Sequence, residues 1–165
     1  MSKKKTKEFY SLVQDIVNNE EFNKLNTELH HGITTYAHSV RVAKWTFKVS
    51  KALKMKNMEK TTRAALLHDF YIDSDLEGNG YQKLKNHPKL ALQNSLKYYE
   101  LDNMQQDIIV NHMFPCTHTL PKYKESYLVS TIDKLVSLYE IIRFKASLKL
   151  GIYVLFAFEM IKLHE

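Results

Sequence analysis

The chain has 165 residues, of which 44% are hydrophobic, and a formal net charge of +6 at pH 7. A chain of this size and hydrophobic content can bury one core without staples, so we expect a single domain over residues 1–165. The lone cysteine, Cys116, excludes an internal disulfide and is typical of a reducing compartment. The expected location is therefore cytoplasmic.

The positive charge is concentrated at the start of the chain. Four lysines lie within the first seven residues: Lys3, Lys4, Lys5 and Lys7. We expect residues 1–7 to form a basic, solvated tail, without which the chain is only mildly basic. Because no RNA-binding or helix-turn-helix signature accompanies these charges, we expect no stable nucleic-acid partner.

The most apolar segment lies near the C-terminus, over residues 148–163. Charged residues interrupt it, and it is shorter than the roughly 20 apolar residues that a membrane span needs. No secretory signal is visible at the N-terminus. We therefore expect no membrane span, and instead a packing helix over residues 147–163.

Taken in chain order, the hydrophobic periodicity is helical almost throughout and predicts an all-α fold. The predicted helices lie at 9–17, 20–29, 35–53, 59–69, 88–99, 104–112, 122–144 and 147–163. Pro88 suits a first helical turn, where its missing N–H is not needed. Asp102 and Gln105 have the spacing of a capping box. We expect a compact bundle of about seven to eight helices, with its core within residues 32–140.

Four predicted helices each carry a polar residue on the face expected to be buried. His38 has the helical spacing to share a face with Val42, Trp45 and Val49. The other three are His68, His112 and Asp133. A single inward histidine is more often a hydrogen-bonded core residue than a ligand. Several together would each need a separate partner, whereas one or two metal ions would satisfy them at once.

The doublet His68-Asp69 closes an apolar helical stretch over residues 63–67. A buried carboxylate is costly unless something pairs with it, which favours a cation at this place. An ordinary salt bridge is the alternative for the other carboxylate, since Asp133 has Arg41 and Lys134 as candidate partners.

The sequence around these residues has a recognisable order. It reads His-Ser-Val-Arg-Val-Ala at 38–43, Ala-Ala-Leu-Leu-His-Asp at 64–69 and Ile-Asp-Lys at 132–134. In this order it resembles the HD superfamily of metal-dependent phosphohydrolases, over residues 32–139. The resemblance implies an all-α bundle with a metal at its centre. It further implies that the first metal is bound by His38, His68, Asp69 and Asp133.

Superfamily members with two metals have additional histidines between the doublet and the last aspartate. His87 and His112 occupy such places, and the resemblance implies that Asp69 then bridges the two ions. A competing interpretation of His87 is a cap for the helix expected to begin at Pro88. The expected cofactor is one or two divalent transition metal ions, with Fe, Mn, Co, Ni and Zn as candidates.

A polar segment, residues 30–36, precedes the first ligand. It is expected either to line the substrate entrance, with His31 or Thr35 touching phosphate, or to be a connecting loop. In the second case Thr34 or Thr35 caps the next helix.

Further catalytic candidates lie beside the ligands. Arg41 and Lys134 are expected either to neutralise phosphate or to orient carboxylates. His118 or Asp73 is expected to transfer protons, and Asp69 counts among the catalytic residues as the bridging ligand.

The resemblance implies hydrolysis of a small-molecule phosphoester. We expect cleavage of a phosphomonoester or phosphodiester of a nucleotide by a metal-activated hydroxide, and the chain has no Gly-x-Ser-x-Gly nucleophile motif. One alternative is a non-catalytic metal- and nucleotide-binding sensor or interaction module. Another is oxygenation at a di-iron site. The aromatic residues Tyr153, Phe156 and Phe158 are expected either to cover the core or to form a homodimer contact.

Overall fold

The computed structural model describes residues 3–30, 32–117 and 119–162. Within them the chain forms seven α-helices: α1 (Lys3–Val17), α2 (Glu20–Asn23), α3 (Thr35–Ala52), α4 (Met58–Leu67), α5 (Gly80–Leu96), α6 (Asn103–Asn111) and α7 (Lys124–Lys162). Short 3-10 turns lie at Lys24–Asn26 and Asp73–Asp75. Two two-residue strands, β1 (Leu29–His30) and β2 (Ile33–Thr34), pair antiparallel just before α3. The predicted all-α bundle of about seven to eight helices is confirmed.

The core lies where α3 and α4 pack against each other and against α1, α6 and α7. Its largest fully buried apolar side chains are Phe9, Phe22, Phe47, Ile16, Leu25, Leu66, Leu67, Ile108 and Ile109. Burying one such side chain stabilises the fold by about 1.5–3 kcal/mol. These contacts fix the helices relative to one another, so that a side chain on each can be directed at a common point.

Three helices that carry clustered polar side chains, α3, α5 and α6, begin at well-defined caps. The hydroxyl of Thr34 accepts a hydrogen bond from the N–H of Ala37 at 3.2 Å and so begins α3. Both α5 and α6 begin with a capping box, formed by Asn79 with Gln82 and by Asp102 with Gln105. Each cap satisfies backbone N–H groups that have no partner within the helix. The capping box predicted for α6 is confirmed.

Residues 3–7 of the expected basic tail lie in α1, which begins at Lys3, and their four lysines are exposed. Phe9, Val13 and Ile16 lie on one buried face of this helix, and their burial holds it in place. The lysines extend it at low cost, since lysine is a good helix former and the side chains at this end are largely exposed.

The predicted start of α5 is also wrong. The helix begins at Gly80, so Pro88 lies in its interior rather than in its first turn. Without an N–H, Pro88 cannot donate to the carbonyl of Leu84. The capping box at Asn79 specifies the start of α5 and satisfies backbone N–H groups of its first turn.

The two helices predicted over 122–144 and 147–163 form the single helix α7. No proline or glycine separates them in the sequence, so nothing interrupts the backbone hydrogen bonds. Side chains at 142–150 are exposed, so residues 147–150 of the expected packing helix do not pack on the bundle. Packing of its remaining residues stays a prediction. The side chains of Tyr153, Phe156 and Phe158 lie outside the described part of the structure. Among the described residues, no helix has the length and hydrophobicity required to cross a bilayer.

Candidate metal centre

Five helices each direct polar side chains at one point inside the bundle. His38 comes from α3, His87 from α5 and Asp133 from α7, while His68-Asp69 and His112 directly follow α4 and α6. All six side chains are buried. The structure thus brings together every residue that the sequence predicts as a metal ligand.

The carboxylate of Asp69 lies at the middle of this cluster. Its Oδ2 atom is 3.3 Å from Nε2 of His68 and 3.8 Å from Nε2 of His38. Its Oδ1 atom is 3.4 Å from Nε2 of both His87 and His112. Each oxygen therefore faces a different pair of imidazoles, which is the orientation that a carboxylate bridging two cations requires.

The half of the cluster around Oδ2 contains a second carboxylate. Oδ1 of Asp133 is 3.0 Å from Nε2 of His38 and 3.5 Å from Nε2 of His68. Ligand atoms of His38, His68 and Asp69 all lie within 4.8 Å of one another. Metal–ligand bonds of about 2.1 Å need ligand atoms at such separations, so this half can hold one ion.

The other half combines Oδ1 of Asp69 with two histidines. Nε2 of His87 and Nε2 of His112 are 3.0 Å apart, and these atoms again lie within 4.8 Å of Oδ1. Here too the spacing fits a single ion shared by three ligands.

The Nδ1 atoms of all four histidines point away from the centre, towards oxygen acceptors. These contacts are His38 to Glu140 Oε2 at 2.8 Å, His68 to Ala65 O at 2.9 Å, His87 to Lys83 O at 3.2 Å and His112 to Ile109 O at 2.8 Å. Carbonyl and carboxylate oxygens only accept hydrogen bonds, so each Nδ1 must carry the proton. In its neutral form each ring then directs the lone pair of Nε2 into the cluster.

Unpartnered polar atoms at the centre make the case for a cation stronger. Nε2 of His68 and Oδ1 of Asp69 are buried and make no hydrogen bond of good geometry to any described residue. The facing lone pairs of His87 and His112 repel each other unless a proton or a cation lies between them. Imidazole and carboxylate suit divalent transition metals, so the residues present fit such ions.

The protonation states of the metal-free cluster follow from burial and charge. Burial opposes a charge on His38, but hydrogen bonds to Asp133 and Glu140 outweigh it and raise its pKa to about 9. Burial, together with the nearby His68, lowers the pKa of His112 to about 3. Burial alone would raise the pKa of Asp69, yet the neighbouring imidazoles hold it well below its usual value. The centre therefore keeps ionised carboxylates, which attract cations.

Comparison with known protein families agrees with this geometry. The sequence model of the HD domain family matches residues 35–138, a segment that contains all six clustered side chains. The chain belongs to the HD domain family. This family lies within a superfamily of metal-dependent phosphohydrolases, and its members bind divalent metals. No curated protein and no solved structure gives a significant match to the chain.

Glu140 is a member of this HD domain site that sequence reasoning missed. Its side chain is buried on α7, accepts a hydrogen bond from Nδ1 of His38 and forms an ion pair with Arg41. Burial would raise the pKa of Glu140, but the hydrogen bond from His38 lowers it. Glu140 follows Asp133 by seven residues, or two helical turns, which places both on one face of α7. That spacing was the available signal.

The remaining predicted residues do not join the cluster. Arg41 pairs with Glu140 instead of Asp133, and Lys134 donates to the backbone carbonyl of His112 at 2.7 Å. The salt bridge considered for Asp133 is therefore absent with either cation, both of which lie among the described residues. Burial lowers the pKa of Lys134.

The predicted substrate and proton-transfer residues are placed as follows. The hydroxyl of Thr35 lies 3.5 Å from the carbonyl oxygen of Glu28, at the start of α3. Asp73 is paired with Lys83 at the surface. His31 and His118 lie outside the described residues, and their roles stay predictions.

The structure corrects two details of how the ligand candidates were predicted. His38 is buried as expected, but Trp45, assigned to the same inward face, is 48% exposed. The competing interpretation of His87 as a helix cap is also wrong, since His87 lies inside α5.

Proposed function

We propose that the chain is a metal-dependent phosphohydrolase that cleaves a phosphomonoester or phosphodiester, with nucleotides as the substrate class. The observation that carries this proposal is the position of Asp69, whose two carboxylate oxygens face two separate pairs of imidazoles. We propose two divalent ions. His38, His68 and Asp133 would hold one, His87 and His112 the other, and Asp69 would contact both.

Two divalent ions in one site polarise a phosphoryl group, lower the pKa of water and stabilise charge on the leaving oxygen. The chain's own contribution is to place the ligands before any ion arrives. Each imidazole is held at Nδ1 by a fixed acceptor, so that its ring orientation is set by the helices. This preorganisation keeps the ordering cost of binding low.

The predicted catalytic cations act, in this proposal, through the ligands. Arg41 pairs with Glu140, which in turn accepts the proton of His38 Nδ1. Lys134 holds the end of α6 by donating to the carbonyl oxygen of His112. Both are therefore positioning residues, and the orienting role considered for them is favoured over direct contact with phosphate.

Burial within the cluster suggests the direction from which substrate arrives. His38 and His68 are fully buried, whereas Asp69, His87 and Asp133 are 4%, 8% and 6% exposed. We propose that the phosphate enters past His87 and Asp133.

The proposal is tested by hydrolysis assays on protein prepared without oxygen and supplied with Mn²⁺ or Fe²⁺. Substrates are p-nitrophenyl phosphate, bis(p-nitrophenyl) phosphate and a panel of mono-, di- and cyclic nucleotides. We expect turnover that needs added metal and that Asp69→Asn lowers by more than about a hundredfold, beyond the usual effect of an outer residue. Circular dichroism should find the helical content unchanged.

A matched control is Glu125→Gln. Glu125 is a second buried glutamate of α7, and it accepts a hydrogen bond from the side-chain amide of Asn57 at 3.3 Å, away from the cluster. We expect this variant to keep its activity. Full turnover by Asp69→Asn would refute the proposed site.

The burial of the cluster also favours a second candidate function, a metal-stabilised sensor that binds a nucleotide without hydrolysing it. His38, His68 and His112 are at most 1% exposed, as is typical of metals that contribute to folding. Tight metal binding and nucleotide binding without phosphate release from any substrate of the panel would support this function over hydrolysis.

A further inference from the structure

A large open groove lies between α3 and α7, with a volume of about 680 Å³. On the α3 side it is lined by Arg41, Lys44, Trp45 and Lys48. These positions recur at intervals of three and four residues, so they form one stripe along α3. None of the six ligand candidates, all of which the structure describes, lines this groove.

The α7 side of the groove is apolar. Leu135, Val136 and Tyr139 line it with helical spacing, next to Ile132. Leu135 is 62% exposed and Tyr139 is 49% exposed, and together with Trp45, which is 48% exposed, they form one contiguous exposed apolar surface. Two parallel stripes of this kind, about two helical turns long, have the shape that receives a third helix.

The charge of the groove has one sign. Nζ of Lys48 lies 4.2 Å above the ring of Trp45, and Lys44 adds a second cation one helical turn earlier. Arg41 also lines the groove, but its charge is paired with Glu140. Among the described residues that line the groove, none is acidic. The polar edge of a partner that covers the apolar floor would therefore lie against cations. Carboxylate side chains at that edge would be favoured.

Two other occupants fit less well. Bases of a nucleic acid would stack on Trp45 and Tyr139, but the floor between them is aliphatic and offers no hydrogen-bond partners for base edges. A second copy of this chain would bring the exposed extension of α7, which carries Arg143, Lys145 and Lys149. Those charges repeat the sign of the groove.

We propose that this groove binds an acidic amphipathic helix of a partner protein. Its apolar side chains, spaced at i, i+3, i+4 and i+7, cover Trp45, Leu135 and Tyr139. Its flanking carboxylates meet Lys44 and Lys48. None of the six ligand candidates takes part in this binding, so its test does not depend on the proposed hydrolysis.

Trp45 provides the measurement, because it is the only tryptophan of the chain and its fluorescence reports directly on the groove. The probe is a synthetic 16-residue amphipathic helical peptide with leucines at the stated spacing and glutamates beside them. We expect a saturable blue shift of the Trp45 emission. A peptide with lysines in place of the glutamates should bind at least about tenfold more weakly at low salt.

Two pairs of variants separate the surface from general effects. Leu135→Glu should weaken binding of the acidic peptide by about tenfold or more. Leu120→Glu is the control, because Leu120 is equally exposed (65%) and does not line the groove, and it should leave the affinity unchanged. Lys48→Glu should also weaken binding, while Lys85→Glu makes the same charge change on α5 without effect.

Each other occupant gives a result that overturns the proposal. One is tighter binding of a single-stranded oligonucleotide or of phosphatidylserine vesicles than of the peptide, lost in Leu135→Glu. Another is a blue shift of the protein alone that grows with its concentration, which would place a second copy in the groove. A peptide affinity that Leu135→Glu leaves unchanged would also refute it.

Discussion

At the scale of the residue, Glu140 determines how His38 is presented to the cluster. It accepts the Nδ1 proton of His38 at 2.8 Å and is itself held by Arg41. A carboxylate in this place increases the basicity of Nε2, the atom that faces Asp69 and Asp133. Glu140 therefore acts on a bound metal through His38, without contact to substrate.

The first prediction concerns Glu140→Gln. The amide keeps an acceptor for His38 but removes the negative charge, so metal affinity should fall by about 10–100-fold. The measurement is competition for Mn²⁺ or Co²⁺ against a chelator of known affinity. The d–d absorption of bound Co²⁺ should also change, because the field of the His38 ligand changes.

Glu125→Gln is the control for losing a buried carboxylate from α7. If both variants bind metal as tightly as the unchanged protein, Glu140 has no influence on His38. If both lose affinity equally, the effect is one of general stability.

The ligand residues were predictable at this scale because each combines an ionisable side chain with apolar neighbours at helical spacing. Glu140 was not, since a glutamate in a long helix is usually solvated. Its spacing of two helical turns from Asp133 indicates a shared face of α7, and the packing of α3 on α7 then places Glu140 beside His38. The prediction that Trp45 is buried failed for a related reason. Periodicity shows which residues share a helix face, but it does not show whether a neighbouring element covers that face.

At the scale of the element, the turn between β1 and β2 is held against α7. Gly32 in this turn has φ +84°, and a Cβ atom there would overlap the ring of Phe144. The same turn leads directly into α3 and thus to His38. The contact of Gly32 with Phe144 therefore fixes the start of α3 relative to α7, the two helices that carry His38 and Asp133.

The second prediction is that Gly32→Ala lowers the free energy of unfolding. The left-handed conformation costs an alanine about 1–2 kcal/mol, and the overlap with Phe144 adds to this cost. Chemical denaturation measures the change. Adding Phe144→Ala to this variant should remove the overlap and so recover that part of the lost unfolding free energy. The cost of the left-handed backbone should remain.

Gly80→Ala is the matched control, because no atom lies within 4 Å of the added Cβ and Gly80 begins a helix. We expect this variant to be as stable as the unchanged protein or slightly more so. Equal stability of both alanine variants would contradict the account of the turn.

The elements themselves were predictable in kind but not in extent. Helical periodicity identified the bundle, and the capping box at Asp102 placed the start of α6 correctly. Residues 145–147 contain no strong helix breaker, so the predicted gap between two helices had no physical cause. The early start of α5 depends on the cap at Asn79, which outweighs the signal of Pro88.

At the scale of the whole molecule, the cluster links stability to pH and metal. In the metal-free protein, hydrogen bonds to Asp133 and Glu140 overcome the burial of His38 and raise its pKa from 6.5 to about 9. A raised pKa means that the protonated form stabilises the fold below pH 6.5, and that this contribution is lost as pH rises through about 9. A cation held by His38 at Nε2 would take the place of that proton.

The third prediction follows from that substitution. Thermal unfolding of chelator-treated protein should give a midpoint that falls between about pH 6 and pH 10. The unfolding midpoint of protein loaded with Mn²⁺ should fall by less over the same pH range. The carboxylates do not contribute there, since the pKa values of Asp69 and Asp133 are lowered and both stay ionised. Identical pH profiles with and without metal would contradict this linkage.

The central claim is a pair of metal ions bridged by Asp69. The measurement that tests it most directly is elemental analysis of metal per chain, on protein purified without chelators and with oxygen excluded. A centre with these two halves should hold two ions in the unchanged protein and one in His87→Ala, which removes a ligand from only one half of the cluster. A single ion in both proteins, or none after Fe²⁺ and Mn²⁺ have been supplied, would contradict it.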